Sequence, residues 1–331
     1  MKKLYDTYIK AGIPANVVLE VTYRCNLKCI HCYVVNRGEN ELTFEEYSHL
    51  LDDLNTLGTL ILTVTGGEPL VRRDIRDLLE MMSEKEFAIR LFTAGYYIDE
   101  DFAHFLSQLN ILEVELSIYG SRSELHDSIT GVRGSFDHLV RAVKFLRKHN
   151  IKVNLKFIAM KPNYRDVVSV KELVHSLDAN FYYDVVITPK DDLSIDPLKL
   201  RLDLYQLREF YSLVKDRPYI FPQRDVNEYI CNAGLSTMAI SPYGDVYPCV
   251  QLRLLAGNIR EKSIVEIWKK SEVFKSLRGK RIKDYRCGSC PLLPYCSPCI
   301  GSIWLEKGDV NGCTEILRNR AVVLKELADE K

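Results

Sequence analysis

The chain has 331 residues, of which 47% are hydrophobic and 27% are charged, an ordinary globular composition that excludes disordered and collagen-like classes. Lys and Arg together equal Asp and Glu at 45 each, so the formal net charge is zero. No overall field therefore draws the protein to nucleic acid or to an anionic membrane.

The compartment follows from what the sequence lacks. No stretch approaches the roughly 18 apolar residues of a membrane span, and the first residues lack the apolar core of a signal peptide. We therefore predict a cytoplasmic protein without a membrane or nucleic-acid partner. Ten cysteines in that compartment indicate metal binding or thiol chemistry rather than disulfides.

Short β-rich runs alternate with amphipathic helical patterns up to about residue 190. In the first such helix, Thr43 and Glu46 form a capping-box pattern, and Gly58 can end the helix. The alternation predicts parallel strands with right-handed crossovers, in a doubly wound sheet or in a barrel. The six predicted strands are residues 17–23, 59–65, 89–93, 113–119, 152–160 and 181–188.

The pattern changes after residue 190. A polar, proline-punctuated stretch with one helix over 204–214 comes first. A cysteine-rich part with many turn signals follows, with a capped helix at Ser263 and a charged helix from about Thr314. We predict a core, a bridging region and a C-terminal domain over residues 14–190, 191–228 and 229–331.

Three cysteines follow the first predicted strand. Cys25, Cys29 and Cys32 have the spacing C-x3-C-x2-C, on a loop at the carboxyl end of a strand, where open α/β sheets bind ligands. Three thiolates can hold a four-iron cluster and leave one iron free for another ligand. A partial zinc site and buried free thiols are the alternatives that the spacing alone leaves open.

The segment VTYRCNLKCIHCY resembles the cluster-binding signature of the radical S-adenosylmethionine (SAM) superfamily, C-x3-C-x-φ-C, with His31 at the usually aromatic position φ. The resemblance implies a [4Fe–4S] cluster whose free iron is chelated by SAM. It also implies reductive cleavage of SAM to a 5′-deoxyadenosyl radical, which abstracts hydrogen from the substrate.

The ends of the later strands match other elements of this family. TGGEP follows the second strand, where the family's GGE element contacts the SAM amino group. The third strand ends in Thr93-Ala-Gly95, where relatives have a Thr-Asn-Gly turn. The fourth strand contains Ser117, where many relatives have a Ser-x-Asp pair, although Tyr119 replaces that aspartate here. Ordinary turn and strand roles are the alternatives. The resemblance implies that SAM is bound by Gly66, Gly67, Glu68, Thr93 and Ser117.

The other seven cysteines include an inner C-x2-C-x5-C-x2-C, which resembles the SPASM domain and its two auxiliary iron-sulfur clusters; the usual last spacer is three residues. The resemblance implies that the cluster nearer the active site is held by Cys231, Cys249 and Cys299. It assigns the distal cluster to Cys287, Cys290, Cys296 and Cys313.

Two four-iron clusters require eight ligands, and seven cysteines remain to supply them. The eighth position is therefore open, bound by substrate, or filled by an oxygen ligand such as Asp245 or Asp225. Zinc is the alternative for the C-x2-C pairs, because such pairs form zinc knuckles.

The predicted fold class is α/β, a partial (β/α)6 TIM-like barrel with a C-terminal cysteine-rich SPASM domain. The predicted function is modification of a peptide or protein side chain, by analogy with many SPASM-bearing relatives. Only 24 residues precede Cys25, which is too few for a peptide-recognition domain. A separate recognition protein could perform that role. The alternatives are a tetrapyrrole side chain in the haem pathway, and a non-catalytic iron-sulfur or zinc scaffold or electron carrier.

One charged stretch adds a partner to these expectations. Residues 269–286 contain eight Lys or Arg against Glu272 and Asp284. This is either a solvated helix face or a docking site for an acidic peptide or for a reductant such as flavodoxin or ferredoxin. No catalytic acid or base can be named from the sequence.

Overall fold

The computed structural model describes residues 2–35, 38, 40–215 and 225–330, so residues 216–224 of the predicted bridge lie outside the described part. The described strands are β1 Asn16–Glu20, β2 Ile61–Thr65, β3 Ala88–Thr93, β4 Ile111–Ile118, β5 Val153–Ile158, β6 Asn180–Asp184, β7 Thr237–Ile240, β8 Asp245–Tyr247 and β9 Gly257–Asn258. The described helices are α1 Lys2–Ala11, α2 Phe44–Leu57, α3 Ile75–Glu84, α4 Glu100–Ser107, α5 Ser123–Thr130, α6 Ser135–Lys148, α7 Val167–Ser176, α8 Leu204–Val214, α9 Ile264–Lys270, α10 Glu272–Arg278, α11 Ile300–Lys307 and α12 Glu315–Asp329.

The order of the strands distinguishes a barrel from a doubly wound sheet. Strands β1 to β6 lie side by side in chain order, and each is parallel to the next. A doubly wound sheet would instead reverse its order at a switch point. The prediction of a partial (β/α)6 barrel is confirmed.

Each barrel strand has one face of apolar side chains. Leu19, Leu62, Leu91, Leu116 and Leu155 are at most 1% exposed and belong to the core between the sheet and its helices. Because side chains alternate along a strand, the neighbouring residues point to the other face, which is the lumen of the partial barrel. The lumen face is mixed and carries most of the polar side chains of the strands.

The helix boundaries follow the capping signals in the sequence. Thr43 and Glu46 form the predicted capping box, and Gly58 ends α2 with a φ of 81°. The side chain of Ser263 accepts from the Glu266 N–H at the start of α9. These contacts satisfy backbone groups that a helix end leaves without partners.

Three predicted strands are shorter than expected. The first ends at Glu20, the fifth at Ile158 and the sixth at Asp184. Beyond Glu20, the carbonyls of Thr22 and Arg24 accept from the glycine turn after β2 instead of continuing a regular ladder. The apolar residues that extended these patterns therefore belong to loops over the barrel.

The C-terminal part contacts both sides of the partial barrel. Strand β7 pairs in parallel with the edge of β1, and β8 and β9 add antiparallel strands. On the β6 side, α12 packs against α8 and Arg201 forms an ion pair with Glu306. Among the described helices, none has the length and apolar character needed to cross a membrane.

Candidate iron-sulfur and SAM site

The first three cysteines lie on the loop that follows β1. Within this loop the Leu27 N–H donates to Cys25 Sγ at 3.3 Å, and the Cys32 N–H donates to the Cys29 carbonyl at 3.1 Å. Burial, together with the thiolate charges of Cys32 and Cys25, raises the pKa of Cys29 to about 12. The three sulfur atoms are therefore close enough to interact electrostatically.

The donor set of this loop fits an iron-sulfur cluster. Buried thiols with raised pKa values become thiolates when a cationic metal centre compensates their charge. Across the described ranges, no three His, Cys, Asp or Glu side chains converge as they would on a single metal ion. Three cysteines that leave one position open match a four-iron centre with an exchangeable ligand.

Two glycines hold the cysteine loop against the end of β2. The N–H of Gly67 donates to the carbonyl of Thr22 at 2.7 Å, and the Glu68 N–H donates to the Arg24 carbonyl at 2.9 Å. A Cβ on Gly66 would lie 2.1 Å from the Thr22 oxygen, and one on Gly67 would lie 2.5 Å from the Arg24 oxygen. Any side chain at either position would push the two loops apart.

The structure brings Glu68 and Thr93 together. The buried Glu68 carboxylate accepts from Thr93 Oγ1 at 2.7 Å, from the Ala94 N–H at 2.7 Å and from the Leu70 N–H at 3.0 Å. A carboxylate has about four acceptor positions, so these contacts leave room for one further donor. Burial raises the pKa of Cys25 to about 11, and the charge of Glu68 contributes to it.

Ser117 lies on the lumen face of β4 and is half-buried. Burial and the charge of Cys29 raise the pKa of Tyr119, which places this ring beside the cysteine loop. The His31 ring meets it edge to face with the centroids 4.8 Å apart, and burial lowers the pKa of His31 to about 4. Tyr119 thus stands at the sequence position where many relatives have an aspartate.

The seven C-terminal cysteines fall into two groups. Burial and the charges of Cys299 and Cys231 raise the pKa of Cys249 to about 12, which indicates that these three are neighbours. Cys299 Sγ also donates to Gln251 Oε1 at 3.1 Å, and the charge of Asp184, at the end of β6, raises the Cys299 pKa further. Cys299 is half-buried and packs against the main apolar core.

The second group lies farther along the chain. Burial raises the pKa of Cys296 to about 12, with contributions from the charges of Cys287, Cys313 and Cys290. Cys299 is not among these charges, although only two residues separate it from Cys296. The assignment of the seven cysteines to two auxiliary clusters stays a prediction.

The two aspartates considered as oxygen ligands have hydrogen-bond partners of their own. Asp245 accepts from Asn258 Nδ2 at 2.9 Å and from the Tyr247 hydroxyl at 3.3 Å. Asp225 accepts from the N–H and the side chain of Asn227, each at 2.9 Å. Gln251 is an oxygen-bearing side chain that the structure places against Cys299, and the charge of Asp184 contributes to the raised pKa of Cys299.

A buried ion pair connects the barrel to the C-terminal part, and the sequence reading missed it. Glu20, at the end of β1, is 0% exposed and accepts from both terminal nitrogens of Arg253 at 2.6 and 2.8 Å. The Tyr23 hydroxyl donates to the same carboxylate at 2.9 Å. The one available signal was a glutamate within the apolar run VVLEVTY, because a buried charge requires a partner.

Comparison with protein families matches residues 19–189 to the radical SAM superfamily model. The chain belongs to the radical SAM superfamily. Residues 231–299 of this radical SAM enzyme match a second model, the SPASM iron-sulfur cluster-binding domain. Its cofactors are accordingly a [4Fe–4S] cluster, auxiliary iron-sulfur clusters and SAM.

Relatives of this radical SAM enzyme include proteins named for heme synthesis and for peptide biosynthesis. The AdoMet-dependent heme synthase of Methanosarcina barkeri is 28% identical, covering 89% of this chain and 94% of that protein. The subtilosin biosynthesis protein AlbA of Bacillus subtilis is 27% identical, covering 87% of this chain and 67% of that protein. The structure of Streptococcus suis SuiB bound to its precursor peptide matches with a TM-score of 0.73 at 20% identity, covering 96% of this chain and 79% of that one.

Proposed function

We propose that Cys25, Cys29 and Cys32 hold the cluster that binds SAM, and that Glu68 and Thr93 help to hold SAM. The observation that carries this proposal is the meeting of three thiols with a buried, partly satisfied carboxylate at the carboxyl ends of β1 to β3. Gly66 and Gly67 position the loop, and Ser117 lines the lumen on the next strand.

The bound cofactors supply an electron for reductive cleavage of SAM and a radical that takes a hydrogen atom from the substrate. The protein itself positions the cysteine loop and provides the binding groups. The apolar outer face of the barrel fixes the strands, the glycine turn fixes the cysteine loop, and the fully buried Glu68 presents an anion away from water. A donor such as an ammonium group is attracted to that carboxylate strongly, because little water screens it.

We further propose that the chain divides into a radical SAM core, a bridge and a SPASM domain over residues 14–190, 191–228 and 229–331. The auxiliary clusters would be held by the two groups of cysteines described above, with Gln251 or Asp184 close to the group nearer the lumen. A low-potential flavodoxin or ferredoxin would supply electrons.

The substrate proposed is a peptide or protein side chain. The support is a relative named for bacteriocin biosynthesis, together with a fold that in SuiB accommodates a precursor peptide. A separate recognition protein could present the peptide. A tetrapyrrole is the second candidate, because the heme synthase relative is matched over nearly all of its length.

The first test is anaerobic reconstitution with iron and sulfide, an iron count and a dithionite-driven assay for 5′-deoxyadenosine. About twelve irons with SAM cleavage are expected for three four-iron clusters. Stoichiometric zinc without SAM cleavage would contradict the proposal.

The second test separates the two substrate classes. Peptides encoded beside the gene and iron-coproporphyrin III are each added, and 5′-deoxyadenosine is measured above the rate without substrate. Acceleration by a peptide, with a mass change in that peptide, is expected. Acceleration by the porphyrin alone would replace the peptide proposal with the tetrapyrrole one.

A further inference from the structure

The lumen face of the barrel carries charged side chains on its third to fifth strands. The strand registers place Arg90 of β3 beside Glu113 of β4, Glu115 of β4 beside Asn154 of β5, and Ser117 of β4 beside Lys156 of β5. Because parallel neighbours on one face lie close together, these residues form a continuous polar surface.

At the amino ends of the strands the cations of this surface share one carboxylate. Glu113 accepts from Arg90 Nε at 2.6 Å and from Lys152 Nζ at 2.7 Å. Burial opposes its ionisation, but hydrogen bonds from Lys152, Asn154 and Arg90 outweigh burial and lower its pKa to about 2. Both cations at this end of the lumen therefore already have a carboxylate partner.

Closer to the carboxyl ends, Lys156 is not neutralised in this way. It is half-buried, and within the described ranges it takes part in no hydrogen bond or ion pair. The strand registers place two carboxylates diagonally from it, Glu115 of β4 and Asp184 of β6, and Asp184 already accepts from the N–H groups of Val185 and Val186. Among the described residues neither carboxylate forms an ion pair with Lys156, so its ammonium donors are available to an added anion.

The position of Lys156 favours substrate over SAM as the source of that anion. The residues proposed to hold the cluster and SAM follow β1 to β4, whereas Lys156 lies on β5 beside Tyr182 of β6, which is 51% exposed. Lys156 thus faces the β6 side of the lumen, away from the residues proposed to hold the cluster and SAM.

We propose that Lys156 binds a carboxylate of the substrate inside the lumen, with the exposed Tyr182 ring as an adjoining contact surface. The proposal rests on the proposed function and narrows its substrate to a molecule with an anionic group near the reacting carbon. A glutamate or aspartate side chain, a peptide C-terminus and a porphyrin propionate share this chemistry.

The test measures binding to the reconstituted holoprotein in the presence of SAM, with two matched pairs of probes. One pair is coproporphyrin III and its tetramethyl ester. The other is a short capped peptide whose single charged residue is glutamate, and the same peptide with glutamine. The proteins are the wild type, Lys156→Met, Lys156→Arg and, as the control on the same strand segment, Lys152→Met.

We expect the wild type to prefer the acid in at least one pair. Lys156→Met should weaken binding of that acid by roughly tenfold or more, the usual size of a lost hydrogen bond to a charged group. Lys156→Arg should retain much of the preference for the acid, and Lys152→Met should retain it fully. The arginine variant also distinguishes lost binding from a folding defect.

Indistinguishable binding of acid and neutral partner in both pairs would overturn the proposal, whether all the probes bind or none does. It would also be overturned if Lys156→Met weakened SAM affinity and left the probe preference intact, because Lys156 would then belong to the SAM site. SAM cleavage by the wild type is assayed in the same preparations. Absence of SAM cleavage would contradict the proposed function. The preference for the acid probe would still test the role of Lys156 independently.

Discussion

The two cysteine-bearing regions of the molecule are built by different means. The N-terminal three share one loop, which backbone hydrogen bonds and two glycines hold against the end of β2. The C-terminal cysteines are spread from Cys231 to Cys313, and several pack against a small apolar cluster that includes Leu252 and Ile282. The first region depends on local chain geometry, and the second on tertiary packing.

The largest expected effect comes from removing a ligand in the N-terminal loop. Cys29→Ala should abolish formation of 5′-deoxyadenosine and remove about four irons, because two thiolates cannot retain the cluster. Iron analysis and the cleavage assay measure both effects. Ile30→Ala, an exposed neighbour, is the control that should keep both, and full iron with active cleavage in Cys29→Ala would show that the loop is not the SAM-binding site.

A backbone substitution tests whether loop geometry is as important as the ligands. Gly67→Ala would place a Cβ 2.5 Å from the Arg24 carbonyl, so the cysteine loop must move. We expect most SAM cleavage to be lost while the iron of the auxiliary clusters remains.

The control is Gly279→Ala in the C-terminal part, where a Cβ meets other atoms only at 3.6 Å. That variant should behave as the wild type in the cleavage assay and in iron content. Equal activity of Gly67→Ala and Gly279→Ala would refute the importance of the close approach.

The ion pair between Glu20 and Arg253 tests how strongly the two regions are coupled. Either Glu20→Gln or Arg253→Met leaves one buried charge unpaired, which costs about 3–5 kcal/mol. The double variant should lose much less than the sum of the single losses, as measured by thermal unfolding of the holoprotein. Arg76→Ala at an exposed pair with Asp101 serves as a control and should cost about 1 kcal/mol or less.

The smallest predicted effect concerns one hydrogen bond within the SAM site. Thr93→Val removes the 2.7 Å bond to Glu68 and leaves the packing volume nearly unchanged. We expect SAM to bind several-fold more weakly, since such a bond contributes about 1 kcal/mol, and Thr93→Ser should restore the affinity. Titration of the holoprotein with SAM measures this, and equal affinities of all three proteins would remove Thr93 from the site.

The sequence predicts the parts of this molecule that depend on short segments. The cysteine loop, the TGGEP turn, the capping box at Thr43 and the six barrel strands are all readable from neighbouring residues. The strand order agrees with the resemblance, although periodicity alone left a doubly wound sheet open.

Other features could not be read in this way because they depend on contacts across the fold. Glu20 and Arg253 are 233 positions apart, so nothing local identifies them as partners. The lack of an ion-pair partner for Lys156 among the described residues depends on which face of β5 turns to the lumen and on the pairing of both Arg90 and Lys152 with Glu113. The ends of β1 and β6 were overestimated because apolar residues continue into loops that cover the barrel.

The pairing of β7 with β1 has a consequence for how the protein matures. As the chain leaves the ribosome, β1 emerges first but acquires its second neighbour only after residues 237–240 have been made. Until then one edge of β1 has unpaired backbone groups, and Glu20 awaits Arg253. The strand that leads into the cysteine loop is thus fully supported only after residue 253 has been made, which favours insertion of iron after that point of synthesis rather than before it.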